Sequence, residues 1–335
     1  LADFAAREET LYEAFTQTKN TSTFPGTDGV TIEDIESEYD SYCTRYSVEL
    51  KEHRYEPKPL FGMVSPMRNS KIRAFAIPGV PDRWLQRSVC LNLAPSLDTL
   101  FEDCSFAYRR NFSRQRARDA LSQAYRDGEH VVLESDIESF FDEVEWPILF
   151  CKLRALYPFD DTIDLIEKWI KAPVCFEGRT IQRSKGLPQG AVISPLLSNL
   201  FLDEFDEMIR NAGFNLIRFA DDFIITCSSR ERAEQALNTV KSVLENLELE
   251  IKPEKTKITS FSQGFSYLGY LFCRSLVVEK EKDFVPDSDG RIIEESRIPA
   301  NSWLANLQFS DKTSDELEDP AKTAFTPVHF PDGEQ

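Results

Sequence analysis

The chain has 335 residues, 41% of them hydrophobic, and 57 acidic against 39 basic residues give a formal net charge of −18. No stretch approaches the roughly 20 apolar residues that a membrane-spanning helix needs, and the first residues lack the basic-then-apolar order of a signal peptide, so a cytoplasmic location is expected. Seven widely spaced cysteines and three histidines, with no Cys-x-x-Cys pair, favour neither a disulfide framework nor a zinc site.

The first hundred residues are predicted to contain helices and a strand pair. Apolar residues recur three and four apart over residues 1 to about 55, on both sides of a turn at 24–29, which predicts two helices across a loop. Residues 58–78 predict strands around a basic hairpin, and residues 82–100 predict a helix.

A cluster of arginines follows. Five of them fall within ten residues, interrupted by Phe112: Arg109, Arg110, Arg114, Arg116 and Arg118. A local basic patch of this kind can bind phosphates although the whole chain repels polyanions. The alternative is a solvated helix face with no ligand.

Residues 131–142 begin as a β-branched run and end in carboxylates and aromatics. The pattern predicts a strand with Asp136 at its carboxyl end, followed by the pair Phe140-Phe141. Side chains alternate along a strand, so Glu134 would share a face with Asp136 and could support it.

The next segments predict a helical stretch over 147–171 and a hairpin over 174–182 that turns at Glu177-Gly178. Residues 185–201 then predict a loop that contains glycine and proline and is followed by an apolar helix. The backbone of such a loop can approach a phosphate or a base closely.

The sequence Phe219-Ala220-Asp221-Asp222 lies between two apolar runs and predicts a tight β-hairpin with two carboxylates at its tip. Adjacent like charges repel unless a cation lies between them, although a solvated turn is the commoner interpretation of Asp-Asp alone. From Ser228 a capping pattern opens a helix with one apolar stripe, formed by Ala233, Ala236, Leu237, Val240, Val243, Leu244 and Leu247.

In this order and at these separations, the three carboxylate and loop segments resemble palm motifs A, B and C of reverse transcriptases, most closely the group II intron type. Further matching motifs lie at residues 27–30, 71–78, 82–83, 253–257 and 265–270. The resemblance implies an α+β fold, the right-hand polymerase palm and fingers with an antiparallel palm sheet. It assigns residues 1–111 and 147–187 to the fingers, and 112–146 and 188–275 to the palm.

Residues 276–335 depart from that pattern. They carry 14 acidic and 6 basic residues, and so hold −8 of the net charge. They are expected to form an acidic, proline-containing linker or C-terminal extension, with the thumb missing or atypical.

The resemblance implies an RNA-directed DNA polymerase that adds dNTPs to a DNA or RNA primer on an RNA template by two-metal phosphoryl transfer. It places two Mg²⁺ ions, for which Mn²⁺ could substitute, on Asp136, Asp221, Asp222 and the backbone carbonyl of Ile137. Asp222 could instead face away from the metals. Lys255, or the next lysine in the chain, would protonate the leaving pyrophosphate, unless both lysines are merely solvated.

The resemblance also assigns the nucleotide and template contacts. Lys71 and Arg73 would clamp the triphosphate, and Gln189 with Gly190 would pack on the incoming nucleotide. Phe141 would exclude a ribose 2′-hydroxyl and so select deoxynucleotides, unless both Phe140 and Phe141 are core residues. The expected template and primer contacts are Arg109, Arg110, Arg114, Arg116, Tyr267, Leu268 and Gly269.

The departures after Tyr270 resemble the CRISPR-associated reverse transcriptases, which are joined to a spacer integrase. A fused or associated integrase is therefore the expected partner, with cDNA made for spacer acquisition from RNA. Two alternatives stay open: a catalytically silent palm that acts as a nucleic-acid or assembly scaffold, and an RNA-dependent RNA polymerase.

Overall fold

The computed structural model describes residues 1–21, 24–66, 72–286 and 292–297. Residues Leu1–Val277 form one compact unit and Val278–Gln335 are assigned to a second. Within the described residues, no helix is both long and apolar enough to cross a membrane.

Eleven α-helices are found in the described residues. They are α1 (Ala2–Ala5), α2 (Glu8–Lys19), α3 (Ile32–Ser37), α4 (Tyr39–Lys51), α5 (Val80–Asp98), α6 (Arg114–Arg126), α7 (Phe140–Glu143), α8 (Trp146–Leu156), α9 (Thr162–Lys171), α10 (Ser194–Asn211) and α11 (Arg230–Asn246).

Thirteen strands accompany them. They are β1 (Leu60–Pro66), β2 (Ile72–Ile77), β3 (Val131–Asp136), β4 (Val174–Phe176), β5 (Arg179–Ile181), β6 (Asn215–Phe219), β7 (Asp222–Cys227), β8 (Lys257–Ser260), β9 (Phe265–Tyr267), β10 (Tyr270–Cys273), β11 (Leu276–Glu279), β12 (Glu281–Pro286) and β13 (Ile292–Arg297).

The sheet that positions the site has the order β6-β7-β3-β8, and every neighbouring pair in it is antiparallel. Helices α10 and α11 pack on it, and the predicted stripe of α11 is buried with Leu237 at its edge. Ser229 caps α11 by accepting a hydrogen bond from the Arg232 amide, so the helix is capped as predicted but one residue later than the pattern beginning at Ser228 indicates. The α+β fold with an antiparallel palm sheet is confirmed.

A second sheet, β2-β1-β4-β5, contains the hairpin predicted over 58–78. The β4–β5 hairpin turns at Glu177-Gly178, where both residues have positive φ, as the sequence predicts. The helical stretch predicted over 147–171 is divided into α8 and α9. Tyr157 leaves the helical region with φ of −130° because it precedes Pro158, and proline disfavours helical geometry in the residue before it.

The sequence predicts two helices before residue 55, and the structure has four there. The first is divided into α1 and α2, and the second into α3 and α4, where Glu38 departs from helical geometry with φ of −125° and ψ of 32°. Helices α1 and α2 pack on α5, and Tyr39 and Tyr46 of α4 contact the ring of its Trp84. Trp84 is fully buried and donates a hydrogen bond to the Leu11 carbonyl oxygen at 2.7 Å.

The segment after the palm sheet consists of strands in its described part. The order β11-β10-β9 forms a small sheet that includes the hairpin Tyr267–Tyr270. The following strands β12 and β13 pair antiparallel with each other.

Candidate active site

The site is built on the hairpin that joins β6 and β7. Phe219 pairs with Asp222, so the loop between the strands has only two residues, Ala220 and Asp221. Ala220 has φ of +62°, a left-handed conformation that glycine adopts more readily than alanine. The loop therefore holds Asp221 at its tip in a strained backbone.

Strand β3 brings the third carboxylate to the same place. Asp136, the last residue of β3, pairs directly with Asp222 across the antiparallel ladder. Opposite residues in such a ladder have Cβ atoms about 5 Å apart. The Ile137 amide donates a hydrogen bond to the Asp221 carbonyl oxygen at 3.1 Å, which ties the end of β3 to the loop.

The carboxylates crowd one another. Burial first, and then the charges of Asp136 and Glu134, raise the pKa of Asp222 to about 7. Lys255 donates a hydrogen bond to the Asp136 carboxylate. Burial would lower the pKa of Lys255, but its pairing with Asp136 raises it instead.

The donor set fits a hard divalent cation in its chemistry, because carboxylate oxygens on two neighbouring strands are the ligands that Mg²⁺ prefers. The crowded charge on Asp222 is what such a cation would offset. No three His, Cys, Asp or Glu side chains in the described parts of the chain are already arranged to hold an ion. Asp136 is paired with Lys255 instead, so an ion would have to displace that ammonium group.

Glu134 lies on the same side of β3, as strand alternation predicts. Burial raises the pKa of its carboxyl group, and Lys257 at 3.2 Å partly offsets that effect. Glu134 therefore contributes negative charge next to the site, two residues before Asp136 on the same face of β3. Its carboxylate already pairs with Lys257.

The two phenylalanines after Asp136 have different surroundings. Phe140 is 1% exposed and packs in the core, whereas Phe141 is half-buried at the edge of that core. Their rings meet edge to face with centroids 5.7 Å apart. The Leu187 amide donates to the Phe141 carbonyl oxygen at 2.6 Å, so the loop at 185–190 fixes the backbone of Phe141.

That loop approaches the turn after β3 closely at Gly186. Gly186 has φ of +87°, and a Cβ atom there would lie 2.9 Å from the Asp142 carbonyl oxygen. Gly178 in the β4–β5 turn has a similar φ of +74° but no neighbouring atom within 4 Å of such a Cβ. Gly186 therefore combines a positive φ with a close backbone contact, whereas Gly178 has the positive φ alone.

Gly186→Ala should therefore lower the free energy of unfolding by about 2 kcal/mol or more, since the strained φ and the backbone clash add. Gly178→Ala should lower it by about 1 kcal/mol, from the strained φ alone. Urea unfolding of both variants measures the difference. Equal losses would show that the contact between the loop and the turn is not tight.

The same loop reaches the fingers sheet through Gln189 and Gly190. The Ala76 amide in β2 donates to the Gln189 carbonyl oxygen at 2.9 Å, and the Gln189 side chain donates to Asp142 at 3.3 Å. Gly190 has φ of +120° beside Ile77. Arg73 lies in β2 with its side chain not described, and Lys71 lies outside the described residues.

The arginine cluster divides into buried and exposed members. The Arg109 side chain is 4% exposed, donates to the Asp98 carboxylate at 2.6 Å and also donates to the carbonyl oxygens of Glu102 and Ser105. Arg109 was expected to contact the template. In this structure it does not reach the surface, because these partners hold its guanidinium group in the interior. Arg110 and Arg116 are exposed.

The predicted template and primer residues after the palm sheet lie near one of these arginines. Leu268 and Gly269, with φ of +50° and +83°, form the two-residue turn of the β9–β10 hairpin. An Arg114 nitrogen lies 3.3 Å from the position of a Cβ on Gly269, and the Arg114 guanidinium lies 5.6 Å from the centre of the Tyr270 ring. The turn and the start of α6 therefore form one surface.

Tyr267 is buried rather than exposed. Its hydroxyl group donates to the Asp222 carbonyl oxygen at 3.1 Å and lies 3.3 Å from that of Ile217. It anchors the β9–β10 hairpin on the carboxylate hairpin instead of presenting its ring to a primer.

Two supporting residues were not predicted. Gln86 in α5 accepts hydrogen bonds from the Val192 and Ile193 amides at the start of α10. Arg218 in β6 is fully buried, and its only sequence signal is a lone charge inside an apolar strand. The hydrogen-bond partners of these two residues could not be predicted from the sequence. They are either far away in the chain or depend on how a loop folds.

Comparisons with known proteins identify relatives of this chain. Protein YkfC of Escherichia coli is 28% identical over 289 residues, covering 75% of this chain and 76% of YkfC. The group II intron-encoded protein LtrA of Lactococcus lactis is 25% identical over 287 residues, covering 66% of this chain and 48% of LtrA. The chain thus spans about half the length of LtrA.

Among solved structures, a chain of a partial Cas6-RT-Cas1–Cas2 complex is 33% identical, with a TM-score of 0.46, and the match covers 73% of this chain and 42% of that one. Residues 57–272 match the family described as reverse transcriptase (RNA-dependent DNA polymerase), and this region contains the whole carboxylate site. The chain belongs to the reverse transcriptase family.

Proposed function

We propose that this chain copies RNA into DNA by adding dNTPs to a primer 3′ end at the site formed by Asp136, Asp221 and Asp222. The observation that carries the proposal is the direct pairing of Asp136 with Asp222 across β3 and β7, with Asp221 in the loop between β6 and β7. Membership of the reverse transcriptase family implies dependence on a divalent metal in general.

The three carboxylates and the Ile137 carbonyl group would hold two Mg²⁺ ions, which lower the pKa of the primer 3′-hydroxyl group and neutralise the pyrophosphate leaving group when bound. Lys255 would then be released from Asp136 and become available to donate a proton to the pyrophosphate. Its present contact with Asp136 keeps its ammonium group within reach of the site.

The incoming nucleotide would lie beside the packed loop at 185–190 and the turn after β3, against Gln189, Gly190 and the Phe141 ring. Gln189 and Gly190 line that space from the side of β2, which carries Arg73. The half-buried ring of Phe141 would meet a ribose 2′-hydroxyl group there and favour deoxynucleotides.

The template and primer would cross the surface of Arg110, Arg114, Arg116, Leu268 and Gly269. Arg110 lies just before α6, Arg114 and Arg116 lie in its first turn, and Leu268 and Gly269 form the turn of β9–β10. We assign residues 1–111 and 147–187 to the fingers and residues 112–146 and 188–275 to the palm.

Substitution of the neighbouring residues Arg109 and Arg110 tests this proposed path of the template and primer. Arg110→Ala should leave the melting temperature unchanged, weaken binding of an RNA–DNA duplex and reduce the slope of log affinity against log salt by about one, since one phosphate contact is lost. Arg109→Ala should lower the melting temperature instead, because it leaves the Asp98 carboxylate and several carbonyl oxygens unpaired. Fluorescence anisotropy and thermal unfolding measure the two effects, and a reversed pattern would contradict the assignment.

The test of the function is extension of a DNA primer on an RNA template with dNTPs and Mg²⁺, compared with the same reaction in EDTA. Metal-dependent extension with dNTPs supports the proposal. Extension with rNTPs in preference to dNTPs would identify an RNA-dependent RNA polymerase. Duplex binding without extension under any nucleotide or metal condition would identify a scaffold.

We further propose that the cDNA serves spacer acquisition by a CRISPR integrase that is fused to or associated with this chain. The observation behind this is the β12–β13 hairpin that follows the palm, where group II intron enzymes continue into a helical thumb. With the integrase supplied, new spacers should cross the splice junction of a reporter RNA. Those spacers should disappear when Asp221 is replaced by alanine, and spacers from DNA alone would refute the role.

A further inference from the structure

The buried Arg218 connects strand β6, helix α10 and the segment at residues 104–106. It lies in β6, two residues before Ala220, and both it and its partner Asp206 have side chains that are 1% exposed. The Arg218 amide donates to the Cys104 carbonyl oxygen at 2.8 Å, and its own carbonyl oxygen accepts from Phe106 at 2.9 Å. The backbone of Arg218 is therefore fixed from both sides before its side chain makes any contact.

All five N–H groups of the guanidinium have acceptors. Nε and Nη2 donate to the two Asp206 carboxylate oxygens at 2.7 and 2.5 Å, which is the bidentate arrangement. Nη2 also donates to Ser105 Oγ at 2.8 Å, and Nη1 donates to Asn199 Oδ1 at 3.1 Å. The remaining Nη1 hydrogen bond, at 2.9 Å, goes to the Ala220 carbonyl oxygen.

That last contact is made to the strained residue of the loop. Ala220 has φ of +62°, and its carbonyl group belongs to the peptide that enters Asp221. A peptide is planar, so holding its carbonyl oxygen orients the amide and the Cα of the next residue. Arg218 thereby sets the direction in which the Asp221 side chain leaves the backbone.

We propose that Arg218 is a positioning residue that holds the Ala220 peptide and so prearranges Asp221 for metal binding, with Asp206 and Asn199 of α10 holding the guanidinium in turn. The inference rests on the proposed function of the carboxylates. It adds that the helix following the loop at 185–190 also orients the metal-binding loop. A purely structural ion pair would stabilise the fold without affecting metal affinity.

Arg218→Lys is the variant that separates these roles. Lysine keeps the charge beside Asp206 but cannot reach Asp206 and the Ala220 carbonyl oxygen together through a planar fork. We expect Mn²⁺ affinity, measured by calorimetry without nucleic acid, to fall by about 10-fold, as for other residues that orient metal ligands. The Mg²⁺ concentration for half-maximal extension should rise by a similar factor, with kcat reduced and the KM for dNTP within about twofold.

Leu202→Ala is the matched control, because Leu202 is a fully buried residue of α10 that is absent from the Arg218 network. It should lower the melting temperature and leave Mn²⁺ affinity unchanged. Wild-type Mn²⁺ affinity in Arg218→Lys, an equal loss in Leu202→Ala, or no Mn²⁺ binding by the wild type would each overturn the inference.

If Arg218→Lys does not fold, Ser105→Ala removes a single acceptor from the network and should lower Mn²⁺ affinity in the same direction. Unchanged affinity in that variant would also overturn the inference. If the wild type binds Mn²⁺ and the variants bind it more weakly but none extends a primer, the proposed polymerase function fails while the positioning role stands.

Discussion

Replacing Asp221 or Asp136 with asparagine should reduce primer extension by about 10³-fold or more. A metal ion supplies several kcal/mol of charge stabilisation in a transition state, and each ~1.4 kcal/mol corresponds to a factor of ten in rate. Asparagine keeps the shape of the side chain but removes the negative charge that would hold the ion. Single-turnover extension on an RNA template, at saturating dNTP and Mg²⁺, measures the loss.

Thermal unfolding must show that each variant with a replaced carboxylate is folded. Asp222→Asn removes one of the crowded charges, so its melting temperature should be equal to or above that of the wild type in the absence of metal. Asp119→Asn, at an exposed position of α6, should leave extension and melting temperature unchanged. Extension within about tenfold of wild type by Asp221→Asn, from folded protein, would refute the proposed metal site.

The parts of the site that the sequence predicts are those set by local rules. Asp136 ends a β-branched run, and Asp221 with Asp222 lies where two apolar runs meet, so strand period and turn chemistry place all three carboxylates at strand ends. That the strands lie side by side came from the resemblance to a family, since periodicity carries no information about which strands pair.

The parts that the sequence does not predict depend on backbone geometry that no local pattern specifies and on contacts far apart in the chain. Arg109 and Arg110 are adjacent and chemically identical, yet only one is buried. Tyr108 and Asn111, on either side of them, have positive φ values of 61° and 66°, and such local geometry decides which arginine turns inward. The pairing of Lys255 with Asp136 spans 119 residues, and no sequence pattern specifies it.

The second large effect concerns the choice of sugar. Phe141→Ala should reduce the preference for dNTP over rNTP, measured as the ratio of their kcat/KM values, by about 10- to 200-fold. A ring excludes a hydroxyl group only if it cannot move aside. The Leu187 hydrogen bond to the Phe141 backbone, the contact with Phe140 and the close approach of Gly186 all restrain it.

Phe140→Leu provides the control, because Phe140 is 1% exposed and belongs to the core beneath Phe141. It should lower the free energy of unfolding with the dNTP preference largely retained. An unchanged ratio in folded Phe141→Ala would show that the ring is a core residue like its neighbour. A ratio lost equally in both variants would show that core packing, rather than contact with the ribose, sets the preference. Only loss confined to Phe141→Ala identifies the ring as the group that excludes ribonucleotides, and with it a DNA polymerase.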